Sequence, residues 1–234
     1  EYSAVFDICS YTPQQAQTTI DAFCDRTDHY LYCSSTASYL PTDRYPIRED
    51  APRGRGPVWG DYGADKAASE DLLLAAAANG GFPVTIFRPQ WVYGPEDYQR
   101  LASALIDGIV QHGRIEIPFD GDYCLNWCYV LDLVAAMELA SRKPSAIGKA
   151  YNVVGDEIMT TTGMIRACAV AAGKEVEIVY RPELKGKKGF SVQPIHLIVD
   201  NTAVKRELGL CPTAIEDGLC YTAEWLAKHR EVDG

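Results

Sequence analysis

No apolar run in the 234 residues approaches the roughly 20 that a membrane-spanning helix needs. The opening Glu1-Tyr2-Ser3-Ala4 lacks the basic region and apolar core of a signal peptide, so no targeting segment is legible. Positive charge is also short. Twenty-two Lys and Arg stand against 32 Asp and Glu, and the net charge of -10 opposes broad binding to phosphate backbones or anionic membranes unless a local basic patch overrides it. Histidine is scarce, with four widely separated residues. Cys124 and Cys128 form the closest cysteine pair but have no further ligands at zinc spacing, so no metal site is expected. The eight cysteines lack a disulfide framework and read as reduced thiols. With 47% hydrophobic and 23% charged residues, disorder is not expected either, and one globular domain is the starting expectation.

What is present is an alternation. Val5 to Cys9 reads as a strand, Pro13 to Cys24 as a helix, and Tyr30 to Ser34 as a second strand. Residues 40 to 60, rich in Pro, Gly, Arg and Asp, read as loop. Asp61 is placed to cap a helix that runs to Asn79 and is stopped by Gly80-Gly81. Val84 to Phe87 is a further strand. Helices are expected at about 98–111, 131–141 and 162–172, and strands near 127–130, 150–154 and 176–180. Short strands alternating with longer helices predict an α/β fold, a parallel sheet with helices on both faces. Such sheets bind ligands at the carboxyl ends of their strands, which points to Ser34-Ser35-Thr36 and Arg88-Pro89-Gln90-Trp91.

Tyr62 and Lys66 fall at i and i+4 on one expected helix, so their side chains share a face. A free phenol is a poor base at neutral pH, and an adjacent ammonium favours the phenolate. Such pairs also arise by chance on ordinary helix surfaces. Ser35 at a strand end could donate to the oxygen that exchanges a proton with Tyr62, although strand-end serines most often satisfy a turn.

Three segments in order, Tyr32 to Tyr39, Tyr62 to Lys66 and Arg88 to Pro95, resemble successive signatures of the extended short-chain dehydrogenase/reductases, the NAD-dependent epimerase/dehydratase family. Tyr151-Asn152-Val153, Leu208-Gly209, Pro212, Glu216 to Leu219 and Trp225 are similar to the family's tail. The resemblance implies a Rossmann-like sheet and a small C-terminal substrate lobe from about 95–125 and 155–234. It implies Ser35, Tyr62 and Lys66 as catalytic residues, and Ser34, Tyr62, Lys66 and Pro89 as contacts of NAD or NADP. Thr36, Gln90, Trp91 and Leu125 would face the substrate, a hydroxylated small molecule. A homodimer through helices 13–24 and 62–79 is carried by analogy alone.

Other features depart from the family. No glycine-rich turn joins a strand to a helix in the manner that holds a pyrophosphate, because Gly54-Arg55-Gly56 and Gly80-Gly81 are not so placed. The resemblance therefore implies that the first βαβ unit, about 60–70 residues, is absent: either the sequence is a fragment, the favoured reading, or cofactor binding has been lost. Sugar-nucleotide members carry Asn where Trp91 stands and a phosphate-clamping Arg where Leu125 stands, and neither residue supplies those bonds. Thr36-Ala37 replaces the Asp-Glu pair of 4,6-dehydratases, which disfavours dehydration.

A narrower similarity, through Tyr32 to Ser35, the aromatic at 91 and Gly186 to Phe190, is to the chloroplast stem-loop-binding proteins and their bacterial relatives. It implies cytoplasm or plastid stroma as location and Lys185, Lys187 and Lys188 as phosphate contacts, a solvated lysine loop being the plainer reading. The leading expectation is an NAD(P)-dependent epimerase or reductase acting on a hydroxylated, sugar-derived substrate. The alternative is a non-catalytic or moonlighting relative that binds RNA or serves in a larger assembly.

Overall fold

The computed structural model describes residues 1–184 and 195–229. Its elements begin with β1 (Val5–Asp7), α1 (Pro13–Phe23), β2 (Tyr30–Cys33), α2 (Gly60–Gly80), β3 (Val84–Pro89), β4 (Val92–Tyr93), α3 (Ala102–His112) and β5 (Arg114–Ile117). They continue with β6 (Cys124–Asn126), β7 (Cys128–Tyr129), α4 (Val130–Ser141), β8 (Ala150–Val153), β9 (Ile158–Thr160), α5 (Thr161–Ala171), β10 (Glu177–Tyr180) and α6 (Ile215–His229).

The chain divides into two compact units. The first comprises Glu1–Gln90, Asp132–Val154 and Val199–Cys211. Its sheet has the order β1-β2-β3-β8, with every neighbouring pair parallel. Every residue of β3 is buried, as expected of an interior strand in a sheet covered on both faces. Ala16 of α1 and Leu73 of α2 pack with Tyr30, Tyr32, Phe82, Val84 and Ile86 in one apolar cluster. The fold is thus α/β and Rossmann-like, as its strand and helix alternation predicts.

Local chemistry sets the helix ends. Pro13 opens α1, Thr12 Oγ1 accepts from the Gln15 amide at 3.3 Å, and Gln15 Oε1 accepts in return from the Thr12 amide at 3.0 Å. Gly81, with φ 72°, takes the left-handed conformation that ends α2. The expected Asp61 cap is not formed. The helix starts two residues earlier, Trp59 holds the cap position without a side-chain bond, and Asp61 pairs with Arg55 from the first turn. A carboxylate there still faces the positive end of the helix dipole.

The second unit comprises Trp91–Leu131, Gly155–Ile198 and Pro212–Gly234. Helices α3, α5 and α6 pack on one another, and three two-stranded ribbons pair β5 with β10, β4 with β7 and β6 with β9. Sequence periodicity indicates none of β4, β5, β6 and β9. In α6 the buried Ile215, Leu219, Thr222 and Leu226 recur at helical spacing. Gly218 is required there by proximity: a Cβ would lie 2.4 Å from the Tyr93 hydroxyl. Lys185, Lys187 and Lys188 lie outside the described residues. Among the described residues, no helix is long and apolar enough to cross a membrane, and no group of His, Cys, Asp and Glu could hold a metal ion.

Candidate active site

The end of β2 organises the site in the first unit. Ser35 follows Cys33 and Ser34 in an extended conformation and caps a short 3-10 turn, its Oγ accepting from the Ala37 amide at 3.1 Å. That bond uses a lone pair of the hydroxyl and leaves its proton to donate elsewhere. Ser34 points differently. Its hydroxyl donates to Glu70 Oε1 in the interior, and its amide donates to the Phe87 carbonyl at 2.7 Å. Thr36 is buried within the turn.

Helix α2 is locked against this strand end at two points. Lys66 Nζ donates to the Cys33 carbonyl at 2.9 Å and to the Ser10 carbonyl at 2.8 Å. Gly63 lies so near the turn after Ser35 that a Cβ on it would sit 2.3 Å from the Ala37 carbonyl oxygen. Tyr62 adjoins Gly63 and stands one helical turn before Lys66, so the three expected catalytic residues belong to one locality. Tyr62 is 41% exposed, whereas Lys66 is 2% exposed. Burial lowers the Lys66 pKa below its ordinary value, an effect opposed by Cys33, Asp7 and Glu70. The ammonium also faces two aromatic rings, with centroids at 4.8 Å for Tyr11 and 5.0 Å for Tyr32.

Residues absent from the sequence expectation support this arrangement. Asp7 at the end of β1 accepts from the Cys9 and Ser10 amides at 3.1 and 2.9 Å and from the Tyr30 hydroxyl, fixing the turn whose Ser10 carbonyl receives Lys66. Glu70, one turn beyond Lys66, takes bonds from Ser34, Arg88 and Arg53. Glu70 had a legible signal, its i+4 spacing from Lys66. The Ser10 carbonyl had none, because any residue type provides that group.

Pro89 ends β3, paired with Val153, and Gln90 is buried after it. In the second unit, Trp91 has φ 45° and its ring lies 5.5 Å from that of Trp127. Leu125 is 1% exposed in β6, opposite Met159, so its side chain is a core group there.

A parallel sheet whose serine-bearing strand end is locked to a Tyr–Lys helix defines an α/β protein of Rossmann-like type. The chain belongs to the NAD dependent epimerase/dehydratase family, whose model matches residues 14–154. It is 28% identical over 219 residues to the chloroplast stem-loop binding protein of 41 kDa b of Arabidopsis thaliana, covering 90% of this chain and 55% of that protein. It is 27% identical over 229 residues to UDP-arabinose 4-epimerase 1 of the same plant, covering 87% of this chain and 52% of that one. The chain thus spans about half the length of these relatives. Among solved structures, UDP-glucose 4-epimerase of Thermotoga maritima, determined with UDP-glucose, shares the fold with a TM-score of 0.81 at 22% identity, covering 97% of this chain and 78% of that one.

Proposed function

We propose that the complete protein is a nicotinamide-dependent epimerase or reductase acting on a hydroxylated, sugar-derived substrate. The observation that carries this reading is the Lys66 ammonium, bound to the Ser10 and Cys33 carbonyls on the helix bearing Tyr62 and at the strand end bearing Ser35. An ammonium has three N–H donors, and two carbonyls occupy two of them. The remaining donor suits the hydroxyl-rich nicotinamide-riboside portion of NAD or NADP, with Pro89 beside it. When bound, that cofactor accepts and returns hydride. Tyr62 exchanges the substrate hydroxyl proton, Lys66 favours the phenolate by its charge, and Ser35 donates to the same oxygen.

The test uses the full-length protein. NAD(H) and NADP(H) binding is followed by fluorescence titration, and turnover is assayed by chromatography with UDP-glucose and UDP-arabinose. Tyr62→Phe should lower turnover by about 10²- to 10⁴-fold while leaving cofactor binding in place. Unchanged turnover in that variant would remove Tyr62 from the reaction.

The similarity to a chloroplast stem-loop binding protein, together with the buried apolar Leu125, supports a second reading in which the scaffold binds RNA. Replacing Lys185, Lys187 and Lys188 by Ala should then weaken RNA binding and flatten its salt dependence by roughly 0.7 per lost contact on single strands. An unchanged slope rejects that patch.

A further inference from the structure

Lys66 is enclosed by two tyrosines of unlike character. Tyr32 is fully buried in β2, and its hydroxyl donates to the same Ser10 carbonyl that receives Lys66. It is part of the permanent core. Tyr11 stands on the segment between β1 and α1 and is 43% exposed. Its ring centroid is 4.8 Å from Lys66 Nζ and 6.4 Å from the ring centroid of Tyr62, tilted by 43°. Its backbone is fixed, because its amide donates to Gln15 Oε1 at 2.7 Å in the capping box of α1. The main chain is therefore held while the ring lies at the surface.

These facts set a geometric condition. Lys66 is 2% exposed although its neighbour on the helix face, Tyr62, is 41% exposed, and the half-exposed Tyr11 ring lies against the ammonium, its centroid 4.8 Å from Nζ. We propose that Tyr11 is an aromatic cover on Lys66, and that a ligand hydroxyl reaches the third N–H of the ammonium only by displacing that ring. Tyr11 is a positioning residue. It stabilises the ammonium through its π face while no ligand oxygen meets the third N–H, and it competes with a ligand that offers one. A cation–π contact of this kind is weak enough for a hydroxylated ligand to displace and strong enough to reduce its apparent affinity by about two- to thirtyfold. The fixed backbone makes the displacement a side-chain rotation about Cα–Cβ, with no rearrangement of α1. The ligand half of this inference rests on the proposed function, since the diol supplied to Lys66 would be a nicotinamide riboside; the cover itself does not.

The experiment compares wild type, Tyr11→Phe and Tyr11→Ala as full-length proteins. Each is pulsed with acetic anhydride, and acylation of Lys66 is read by peptide mass spectrometry against the exposed Lys174 in the same molecule. Tyr11→Ala should raise the Lys66-to-Lys174 ratio several-fold, and Tyr11→Phe, which keeps the ring, should leave it at the wild-type value. No rise in Tyr11→Ala, or equal rises in both variants, would overturn the cover. Urea melting of the three proteins separates local uncovering from unfolding, because acylation that follows global opening also rises at the half-buried Lys143, whose ammonium is bonded to the Glu207 and Leu208 carbonyls. NADH titration tests the ligand half: affinity should rise about two- to thirtyfold in Tyr11→Ala and stay at the wild-type value in Tyr11→Phe. Equal affinity in wild type and Tyr11→Ala would reject competition. Absence of dinucleotide binding in all three proteins would count against the proposed function, while the labelling ratio still decides the cover.

Discussion

Arg88 and Glu70 meet as an interior ion pair, with side chains 2% and 0% exposed and Nη2 to Oε2 at 2.6 Å. Arg88 Nε also reaches both carboxylate oxygens, and its Nη1 donates to the Tyr39 hydroxyl at 2.7 Å. The carboxylate holds Ser34, so the pair joins β3 and α2 to the strand end next to Ser35. Removing Glu70 leaves the buried Arg88 guanidinium without its carboxylate, whereas removing Arg88 leaves Glu70 still paired with Arg53 at 2.8 Å. Glu70→Leu should cost about 3–5 kcal/mol and Arg88→Met less, because Arg53 still neutralises the carboxylate, and the double variant should recover part of the Glu70→Leu loss because the buried guanidinium is gone. Urea denaturation of the two single variants and the double variant measures the difference. Additive losses in the double variant would show that the charges act independently.

Gly63 answers to proximity and not to a special backbone angle. Alanine at a helical position ordinarily gains about 1 kcal/mol over glycine. Here the added Cβ would lie 2.3 Å from the Ala37 carbonyl oxygen, a backbone atom that cannot rotate away. Gly63→Ala should therefore destabilise the protein by about 1–3 kcal/mol, the usual cost of forcing bulk into a packed contact. It should also lower turnover, because α2 must retreat from the turn that carries Ser35. A variant as stable as wild type in thermal melting would show that the turn yields without cost.

The legible parts of the molecule were those written in periodicity and in punctuating residues. Pro13 and the Gly80-Gly81 pair mark helix ends that fall where expected, and the apolar runs around Leu31 and Ile86 form neighbouring parallel strands. Ser35, Tyr62 and Lys66 were singled out by the resemblance, since their spacing and strand-end position alone suit an ordinary helix face and turn, and the structure brings Lys66 to the strand end that precedes Ser35. The remainder rests on contacts with no residue signature. The Ser10 and Cys33 carbonyls that hold Lys66 are backbone atoms, and the Tyr11 ring gains its place over the ammonium only after β1 and α2 are assembled. Leu125 belongs to the second unit. The resemblance places it toward the substrate, and its side chain is buried in β6.

His29 provides a pH dependence near neutrality. It is 3% exposed, and Nε2 lies 2.8 Å from Thr85 Oγ1, whose own proton goes to the Ala146 carbonyl. Burial lowers its pKa below the usual imidazole value, opposed by a ring N–H bond to the Ser141 backbone. The folded state thus binds this proton less tightly than the unfolded chain, whose pKa is about 6.5. Stability is fully retained above that value and falls as the pH drops below it. His29→Gln should flatten this limb of the stability curve between about pH 5 and 7. Parallel curves for variant and wild type, measured by urea denaturation, would assign the acid sensitivity to other groups.

Asp7 sets the opposite case at lower pH. Burial alone would raise its pKa, but the bonds from Ser10, Tyr30 and Cys9 outweigh it and hold the carboxylate below its ordinary value. A depressed folded-state pKa means stabilisation that is complete above the unfolded value of about 3.9 and disappears as the pH falls through the folded one. Asp7→Asn keeps the shape and removes the charge, so the stability gap from wild type should be about 1–3 kcal/mol at neutral pH, where hydrogen bonds to a charged acceptor are at full strength. The gap should hold steady down to about pH 5 and close below about pH 4. Because Asp7 fixes the turn bearing the Ser10 carbonyl, Lys66 should also become more reactive to acetic anhydride in the variant. A stability gap that stays constant down to about pH 3 would mean that the Asp7 charge contributes nothing to folding and that shape alone holds the turn.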